Sequence, residues 1–393
     1  MGDQLDVRLY ARLIAPVLCA ACTLLSACGG MPTIAAPETM RPIQPDRRII
    51  VRPGQSIQSA LDRAMPGDTV LVEPGTYGEA GRPCAFDGKQ TCGVSVTRDA
   101  ISLVARGGKK PVVLEGSGAL TNGIAVGVSS DCAEHRLRGS RVIGFVVKGF
   151  SASGFALRCV DDWELGYDAA ANDGLYGFDS DLSDHGRLHD GVAEGAARAG
   201  IHVGLSQDVQ IDHNVAHDNV IGFEVREMLR ADVNRNTAFQ NTAGIFESIM
   251  PGDRLERSRA NTLSDNLVQR NDRPNKCAKP SDPVCMIPPG VGIAVIGGAR
   301  NINVGNRVIG NESFGIAVLD VCSAFQIPKS RCDKLGFDPL PRATRTERNV
   351  TLQNGVDLLW TANGSGNCWL RNRSRTRMPN KLPRCSDPRA LVY

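Results

Sequence analysis

The feature that most constrains the fold is a short glycine phrase that recurs at almost constant spacing in the middle of the chain. Each copy reads Gly, a large apolar residue, a variable residue and usually another apolar residue. Consecutive glycines lie 23, 23, 22 and 22 residues apart. A fixed period of this size is typical of a solenoid, whose repeats bury their apolar sides only against each other. The five copies begin at Gly154, Gly177, Gly200, Gly222 and Gly244.

Two asparagines five positions apart precede the glycine in four of the repeats. Asparagine tolerates the left-handed conformation of a sharp turn, and stacked copies can pass amide hydrogen bonds from one coil to the next. Apolar residues alternate within the repeats, as in Val209-Gln210-Ile211, which indicates strands. The pattern predicts an all-β fold, a single-stranded right-handed parallel β-helix. The pairs are Asn214/Asn219, Asn236/Asn241, Asn266/Asn271 and Asn306/Asn311.

The N-terminus has the pattern of an export signal. Arg8 and Arg12 precede an apolar run that is too short to span a bilayer. The run ends in Leu25-Ser26-Ala27-Cys28, which resembles the bacterial lipoprotein box and implies that Cys28 carries a lipid. We therefore expect a signal peptide over 1–27 and a flexible, Pro- and Ala-rich tether over 28–48. An ordinary signal peptide or an uncleaved anchor is the alternative.

A short helix and a strand follow the tether. Ser56 can cap a helix whose apolar residues fall at i, i+3, i+4 and i+7, and Thr69–Tyr77 reads as a strand and a turn. This run resembles the start of bacterial β-helix proteins of the pectate-lyase-like superfamily, in which the helix covers the open N-terminal end. We expect the β-helix to occupy 49–360 in roughly ten coils. A disulfide-closed segment, 361–393, would cap the other end.

Cysteine usage agrees with export. Ten cysteines remain after Cys19, Cys22 and Cys28 are assigned to the signal and the lipid. An even number in an exported chain favours disulfides, and pairing between neighbours would staple each insertion at its own base. The expected pairs are Cys84/Cys92, Cys132/Cys159, Cys277/Cys285, Cys322/Cys332 and Cys368/Cys385.

The repeat register also predicts which side chains stack on the outside of the solenoid, about 4.8 Å apart. The residue after each inward apolar residue gives the column Asp179, His202, Glu224 and Phe246; a second row holds Asp181, Gly204, Arg226 and Ser248. A histidine between carboxylates can carry a proton, and an arginine can neutralise a uronate carboxylate. Gly204 would leave room for a ligand. The alternative is a surface charge ladder that only stabilises the sheet.

We therefore assign candidate roles to seven residues. His202 would be the proton carrier, Glu224 and Asp179 its tuning carboxylates, and Arg226 the anion clamp. The candidate substrate-binding residues are Asp181, Phe246 and Ser248.

A second acidic cluster suggests calcium, an ion that several β-helix lyases use. Its spacing is Asp-x-Asp-x-x-Asp, but the EF-hand glycine and terminal Glu are missing, so we expect no resident metal. The cluster comprises Asp179, Asp181, Asp184, His185, His189 and Asp190.

The net charge of +3 and the absence of nucleic-acid motifs exclude nucleic acid as a partner.

Two classes of function remain open. The stretches Asn172–Gly177, Ala199–Ser206 and Pro251-Gly252 resemble a bacterial group of β-helix repeat proteins without an assigned activity. The motifs of polygalacturonase-type hydrolases and the Asp-Pro-His-Asp motif of mannuronan C5-epimerases are absent. We expect a cell-envelope protein that binds or modifies a polysaccharide, as a lyase or epimerase of uronates. A non-catalytic glycan-binding or structural protein is the alternative.

The C-terminal segment between Cys368 and Cys385 is rich in basic residues. It is either an anion-binding loop or a basic loop that is only solvated. The basic residues are Arg371, Arg373, Arg375, Arg377, Lys381 and Arg384.

The lipid assignment predicts that cells expressing the chain incorporate radiolabelled palmitate into it. Cys28→Ala should abolish the label, because it removes the acceptor thiol. Labelling of the variant at the level of the parent chain would contradict the assignment.

Overall fold

The computed structural model describes residues 47–250, 252, 258–277 and 282–386. The expected signal peptide, Cys28 and almost all of the tether lie outside these residues. No helix in the described ranges is both long and apolar enough to cross a membrane.

The chain winds into a parallel β-helix with three sheets, which we name A, B and C. Sheet A contains Arg48–Val51, Thr69–Val72, Ser102–Ala105, Arg141–Ile143, Glu164–Gly166, Arg187–His189, Gln210–Asp212, Asp232–Asn234, Thr262–Ser264, Ile302–Val304, Arg345–Glu347 and Cys368–Leu370. Sheet B contains Gly75–Tyr77, Val112–Glu115, Phe145–Lys148, Ala169–Ala171, Val192–Glu194, Val215–His217, Thr237–Phe239, Leu267–Gln269, Arg307–Ile309 and Val350–Leu352. Sheet C contains Arg82–Cys84, Asp87–Val96, Asn122–Val126, Ser153–Arg158, Tyr176–Asp181, Ala199–Gly204, Ile221–Arg226, Ala243–Ser248, Val291–Ile296, Phe314–Leu319, Val356–Trp360 and Arg377–Met378. A separate two-stranded ladder pairs Leu137–Arg138 with Val160–Asp161.

The helical elements lie at the N-terminal end and in the insertions. The helix Ile57–Arg63 is capped by the Ser56 side chain, and its buried face joins the core at the N-terminal end, as predicted. A 3-10 helix, Pro283–Met286, lies in the first long insertion, between the strands Leu267–Gln269 and Val291–Ile296. Two short helices, Val321–Ala324 and Lys329–Cys332, lie in the second long insertion, between Phe314–Leu319 and Arg345–Glu347.

The solenoid extends beyond its expected range at the C-terminal end. Its first strand, Arg48–Val51, pairs in parallel with Thr69–Val72, close to the expected start at residue 49. At the other end, Cys368–Leu370 pairs in parallel with Arg345–Glu347 and adds a coil beyond Trp360. The sheet C strand of this last coil, Arg377–Met378, lacks the glycine phrase, which explains why the sequence pattern ends the solenoid too early.

The glycine phrase fixes the inner face of sheet C. Phe155, Phe178 and Phe223 follow the glycines and are fully buried, and the first two rings stack with centroids 4.7 Å apart. The glycines are needed because successive coils approach closely here. A Cβ on Gly177 would lie 2.6 Å from the carbonyl oxygen of Gly200.

The paired asparagines form two buried ladders at the corners that flank sheet B. Asn236 is representative: its Oδ1 accepts the Asn214 backbone N–H, and its Nδ2 donates to the Ile211 carbonyl and to Asn266 Oδ1. The ladders continue as far as Asn372 and Asn354. The asparagines do pass hydrogen bonds between coils, but the expectation that they adopt the left-handed conformation is wrong. The preceding residues, such as His213 and Arg235, have positive φ instead.

The structure contains all five predicted disulfides. Two of them, Cys277–Cys285 and Cys322–Cys332, close the two long insertions near sheet C, as expected. A disulfide removes conformational freedom from the unfolded insertion, so each one lowers the entropy cost of ordering a long loop. Cys368–Cys385 closes the C-terminal segment.

The expectation that every disulfide lies at the base of an insertion is wrong for two of the pairs. Cys92, bonded to Cys84, and Cys159, bonded to Cys132, are both 0% exposed. Cys92 lies within the strand Asp87–Val96, and its disulfide packs in a small apolar cluster that includes Phe86. Cys159 directly follows the strand Ser153–Arg158 and has positive φ, so it turns the chain out of sheet C. These two disulfides are therefore packed into the coils themselves, which spacing along the chain did not indicate.

Two aspartates occupy ladder positions earlier in the chain. Asp168 Oδ1 accepts the Phe145 N–H, and Asp173 Oδ1 accepts the Phe150 N–H, in the way that Asn219 Oδ1 accepts the Ala196 N–H. Burial raises the pKa of Asp173 to about 8, and the hydrogen bonds from Phe150 and Gly149 offset this only in part. Burial also raises the pKa of Asp168. Burial thus favours the neutral acid form of both side chains, and each Oδ1 accepts a backbone N–H at a ladder position, as an asparagine Oδ1 does.

We expect Asp173→Asn to stabilise the protein at neutral pH by about 2 kcal/mol, since the amide needs no proton to be neutral. In the parent chain, Asp173 ionises above pH 3.8 in the unfolded state but keeps its proton up to about pH 8 in the folded state. The free energy of unfolding therefore falls as the pH rises from about 3.8 to about 8. Urea denaturation at several pH values should show this fall in the parent chain and a smaller fall in Asp173→Asn. The exposed control Asp162→Asn should show the same fall as the parent chain.

Candidate functional site

The candidate site lies on the outer face of sheet C. The strands Tyr176–Asp181, Ala199–Gly204 and Ile221–Arg226 pair in the register that the repeat predicts. Asp179 is therefore opposite His202, and His202 is opposite Glu224. Asp181, Gly204 and Arg226 form the neighbouring row.

His202 bridges two carboxylates. Its Nε2 lies 3.1 Å from Asp181 Oδ1, and its Nδ1 lies 3.0 Å from Glu224 Oε2. The second contact is an ion pair without good hydrogen-bond geometry, which leaves Nδ1 without a directed acceptor among the described residues. Burial disfavours the imidazolium, but Glu224 and Asp181 outweigh it and raise the pKa of His202 to about 10. His202 is therefore positively charged at neutral pH.

Three further side chains close the site. Arg158 Nη2 lies 2.7 Å from Asp179 Oδ2, and Arg198 donates to both carboxylate oxygens of Glu224. The Tyr176 ring lies 5.0 Å from the His202 ring and 5.6 Å from the Arg198 guanidinium. Burial first, and then the charges of Glu224 and Asp179, raise the pKa of the Tyr176 phenol, so it remains protonated.

The network is balanced in charge. Four carboxylates, those of Asp179, Asp181, Glu224 and Asp282, face the His202 imidazolium and three guanidiniums, those of Arg158, Arg198 and Arg226. Although burial opposes ionisation of Glu224, His202 and Arg198 hold its pKa far below the ordinary value. Burial opposes ionisation of Asp181 as well, and His202 and Arg158 lower its pKa in the same way. Such a buried network tolerates loss of one member poorly, because the partner charge is left uncompensated.

The structure buries most of the predicted site. His202 and Glu224 are 4% and 0% exposed, and Asp179 is 6% exposed. Of the candidate substrate-binding residues, Phe246 and Ser248 are also buried, and only Asp181 is partly exposed. An outward-pointing side chain on a strand ladder is thus not necessarily accessible, because neighbouring arginines and an insertion can lie over it.

Gly204 does not provide room for a ligand, contrary to our expectation. The Asp181 carboxylate leans across it to reach His202. A Cβ on Gly204 would lie 2.3 Å from Asp181 Oδ1 and 2.9 Å from His202 Nε2. The missing side chain is what allows the Asp181–His202 contact.

Arg158, Arg198 and Tyr176 were not predicted from the sequence. Arg158 directly precedes Asp181 in the outer row, so extending the row by one coil would have found it. Arg198 precedes its strand and bridges Glu224 to Asp282, which lies 84 residues away in an insertion. The repeat pattern therefore does not predict the contact between Arg198 and Asp282.

The acidic cluster suggested for calcium is not one site. Asp184 pairs with Arg136, His185 with Asp208, and His189 with Glu164 and Asp190. These contacts lie at different corners of the coil, away from Asp179 and Asp181.

Asp179, Asp181 and His202 do offer three potential ligand atoms within 4.8 Å of one another. However, the Arg158 guanidinium already pairs with both carboxylates, and a protonated imidazole has no lone pair to donate. Calcium prefers six to eight oxygen ligands. These residues therefore fit an internal ion-pair network and do not fit a calcium site.

A deep apolar groove adjoins this network along sheet C. The outward column changes from Glu224 to Phe246 and then to Ala294. The groove has a volume of about 400 Å³, and the two disulfide-closed insertions contribute Pro283, Met286 and Phe325 to its walls.

Comparisons with known proteins agree with the fold. The family described as "Right handed beta helix region" matches residues 172–332. No curated protein sequence matches the chain. Among solved structures, the A-module of an Azotobacter vinelandii mannuronan C-5 epimerase is similar, with 15% identity, a TM-score of 0.55, and coverage of 84% of this chain and 93% of that one.

Two other structures are similar at the same level. A periplasmic alginate epimerase has 14% identity, a TM-score of 0.53, and coverage of 84% of this chain and 73% of its own. The pectate lyase Pel9A has 14% identity, a TM-score of 0.50, and coverage of 87% and 82%. The predicted right-handed parallel β-helix is confirmed as the fold.

The charge state of His202 predicts a pH dependence of stability. Its folded pKa of about 10 exceeds the ordinary 6.5, so the stabilisation is complete below pH 6.5 and is lost as the pH rises towards 10. Urea titrations should show this decline. We expect His202→Gln to flatten it and to cost about 3 to 5 kcal/mol at pH 6, because the buried Glu224 and the partly exposed Asp181 lose their cation. The exposed control His135→Gln should behave like the parent chain, and an unchanged decline in His202→Gln would contradict this interpretation.

Proposed function

We propose that this chain is an extracytoplasmic β-helix protein that binds and modifies a uronate-containing polysaccharide at the outer face of sheet C. The observation that carries the proposal is that His202, Tyr176 and Asp181 lie together on the outer face of sheet C. Three arginines, Arg158, Arg198 and Arg226, lie beside them. Removing the C5 proton of a uronate requires a proton carrier and a cation that neutralises the sugar carboxylate. This site contains both kinds of group.

The fold neighbours support the substrate class. Their names record an epimerase of mannuronan, an epimerase of alginate and a lyase of pectate. These polymers consist largely of sugars that carry carboxylates. Arginine suits such substrates because its planar guanidinium can pair with a carboxylate through two hydrogen bonds.

The protonation states assign roles to the individual groups. At neutral pH, His202 and Tyr176 keep their protons and Asp181 is ionised. His202 would then donate a proton or stabilise the negative charge that develops on the substrate, and it would act as a base only at alkaline pH. Arg226, in the row beside Asp181, would neutralise the uronate carboxylate.

The five disulfides support a location outside the reducing cytoplasm. We retain lipid attachment at Cys28 as part of the proposal, with anchoring in the bacterial cell envelope.

The closed state of the network favours a second candidate, a non-catalytic glycan-binding protein. Both ring nitrogens of His202 already face carboxylates at 3.0 and 3.1 Å, and the charges balance without a ligand. In that case Asp181, Arg158 and Arg226 would form the edge of a binding face whose buried network only positions them.

A glycan panel separates the two candidates. Mannuronan, alginate, polygalacturonate and a neutral glucan would be tested for binding by calorimetry, for unsaturated uronates by absorbance, and for C5 inversion by NMR. We expect turnover of a polyuronate that declines as the pH rises through about 10, because His202 then loses the proton that it donates. His202→Gln and Arg226→Ala should each reduce turnover by at least about a hundredfold.

The exposed control Arg307→Ala should retain full turnover, and circular dichroism would verify the fold of each variant. Binding without product would assign the non-catalytic function. If no polyuronate is bound or altered, both candidates fail.

A further inference from the structure

The C-terminal end of the β-helix contains two adjoining cavities. The segment after the last strand of sheet A returns across the end of the core. The Cys368–Cys385 disulfide and the Asp357 carboxylate hold it there, and Asp357 accepts the backbone N–H groups of Arg375 and Thr376. One cavity has a volume of about 320 Å³ and is lined by Trp369, Arg371, Asn372, Arg377 and Arg384, among others. The other, about 380 Å³, is lined by Trp360, Asn367, Pro383 and Arg384, among others.

The charge of this end is strongly one-sided. Residues 361–386 contain six cationic residues and no Asp or Glu. In the described part of the chain, neither Arg377 nor Arg384 makes an ion pair, and both are exposed. Some exposed arginines elsewhere on the solenoid, such as Arg230, do pair with a carboxylate. An arginine cluster that is not neutralised from within attracts anions.

Two tryptophans shape the walls of these cavities. Trp369 is only 6% exposed and packs into the end of the core. The neighbouring Trp360 is partly exposed, and its Nε1 donates to the Asn363 carbonyl. The two indole rings lie 5.4 Å apart, and each lines one of the two cavities. An aromatic wall beside arginines is suited to a sugar ring that carries an acidic group.

We propose that this end is a second binding site, for an anionic oligosaccharide, separate from the outer face of sheet C. Arg377 and Arg384 would bind the carboxylate or phosphate groups, and Trp360 would pack against a sugar ring. Because Arg384 lines both cavities, the site would hold at least two consecutive sugar units. The shared chemistry is an acidic sugar, either a polyuronate or a phosphorylated sugar headgroup.

The test uses the full exported chain and intrinsic tryptophan fluorescence with calorimetry. The probes are trigalacturonate, glucose 1-phosphate and uncharged maltotriose. We expect saturable fluorescence changes and heat with an anionic probe, weakened by salt because the contacts are electrostatic. Arg377→Ala/Arg384→Ala should weaken binding at least tenfold, while the control Arg307→Ala should leave it unchanged.

The outcomes separate this proposal from the activity proposed above. His202→Gln should leave binding at this end unchanged, whatever it does to turnover. Tighter binding of trigalacturonate than of glucose 1-phosphate would assign the site to a polyuronate, and the reverse order would assign it to a phosphorylated headgroup. Absence of saturable binding by both anionic probes, equal binding of maltotriose, or full affinity in the folded double-arginine variant would overturn the proposal.

Discussion

The hydrogen bonds between successive coils are the constraint on which the rest of this structure depends. Where the chain turns from one sheet to the next, each corner leaves backbone groups that the next coil must satisfy. The buried asparagines do this with both ends of their amide. The Asn236 side-chain oxygen accepts the backbone N–H of Asn214 in the preceding coil, and its Nδ2 donates to the side-chain oxygen of Asn266 in the next coil. The coil length between ladders is therefore fixed, and extra residues can enter only as insertions that leave the corner intact.

That constraint explains how insertions of different length occur without disturbing the ladder. Asn236 and Asn266 are 30 residues apart, and Asn266 and Asn306 are 40 residues apart, yet both pairs make the same contacts. The additional residues leave the coil near sheet C, where disulfides close two of the loops. One of these insertions brings Asp282 to Arg198 and so joins the charged network.

Burial of that network determines its chemistry. On an open strand ladder, water would screen the charges, and His202 would titrate near neutral pH. Under Arg158, Tyr176 and Arg198, the same histidine is surrounded by carboxylates in a poorly hydrated space and keeps its proton to about pH 10. The chemistry of the column therefore depends more on the side chains that cover it than on the residue types within it.

The repeat pattern was enough to predict the fold, the register between coils and the inner face of sheet C, and the expected pairing between neighbouring cysteines matches all five disulfides. The same pattern placed Asp179, His202 and Glu224 in one column, since register converts a 22- or 23-residue interval into adjacency. It did not reveal what depends on burial: that Asp168 and Asp173 occupy asparagine-ladder positions where burial raises their pKa, or that Cys92 and Cys159 are packed inside the coils. Only the tertiary structure decided that the column is covered, that Asp181 fills the space above Gly204, and that Arg198 reaches Asp282. These contacts join residues outside the repeat, and no periodic pattern encodes where a non-repeating side chain or insertion will lie.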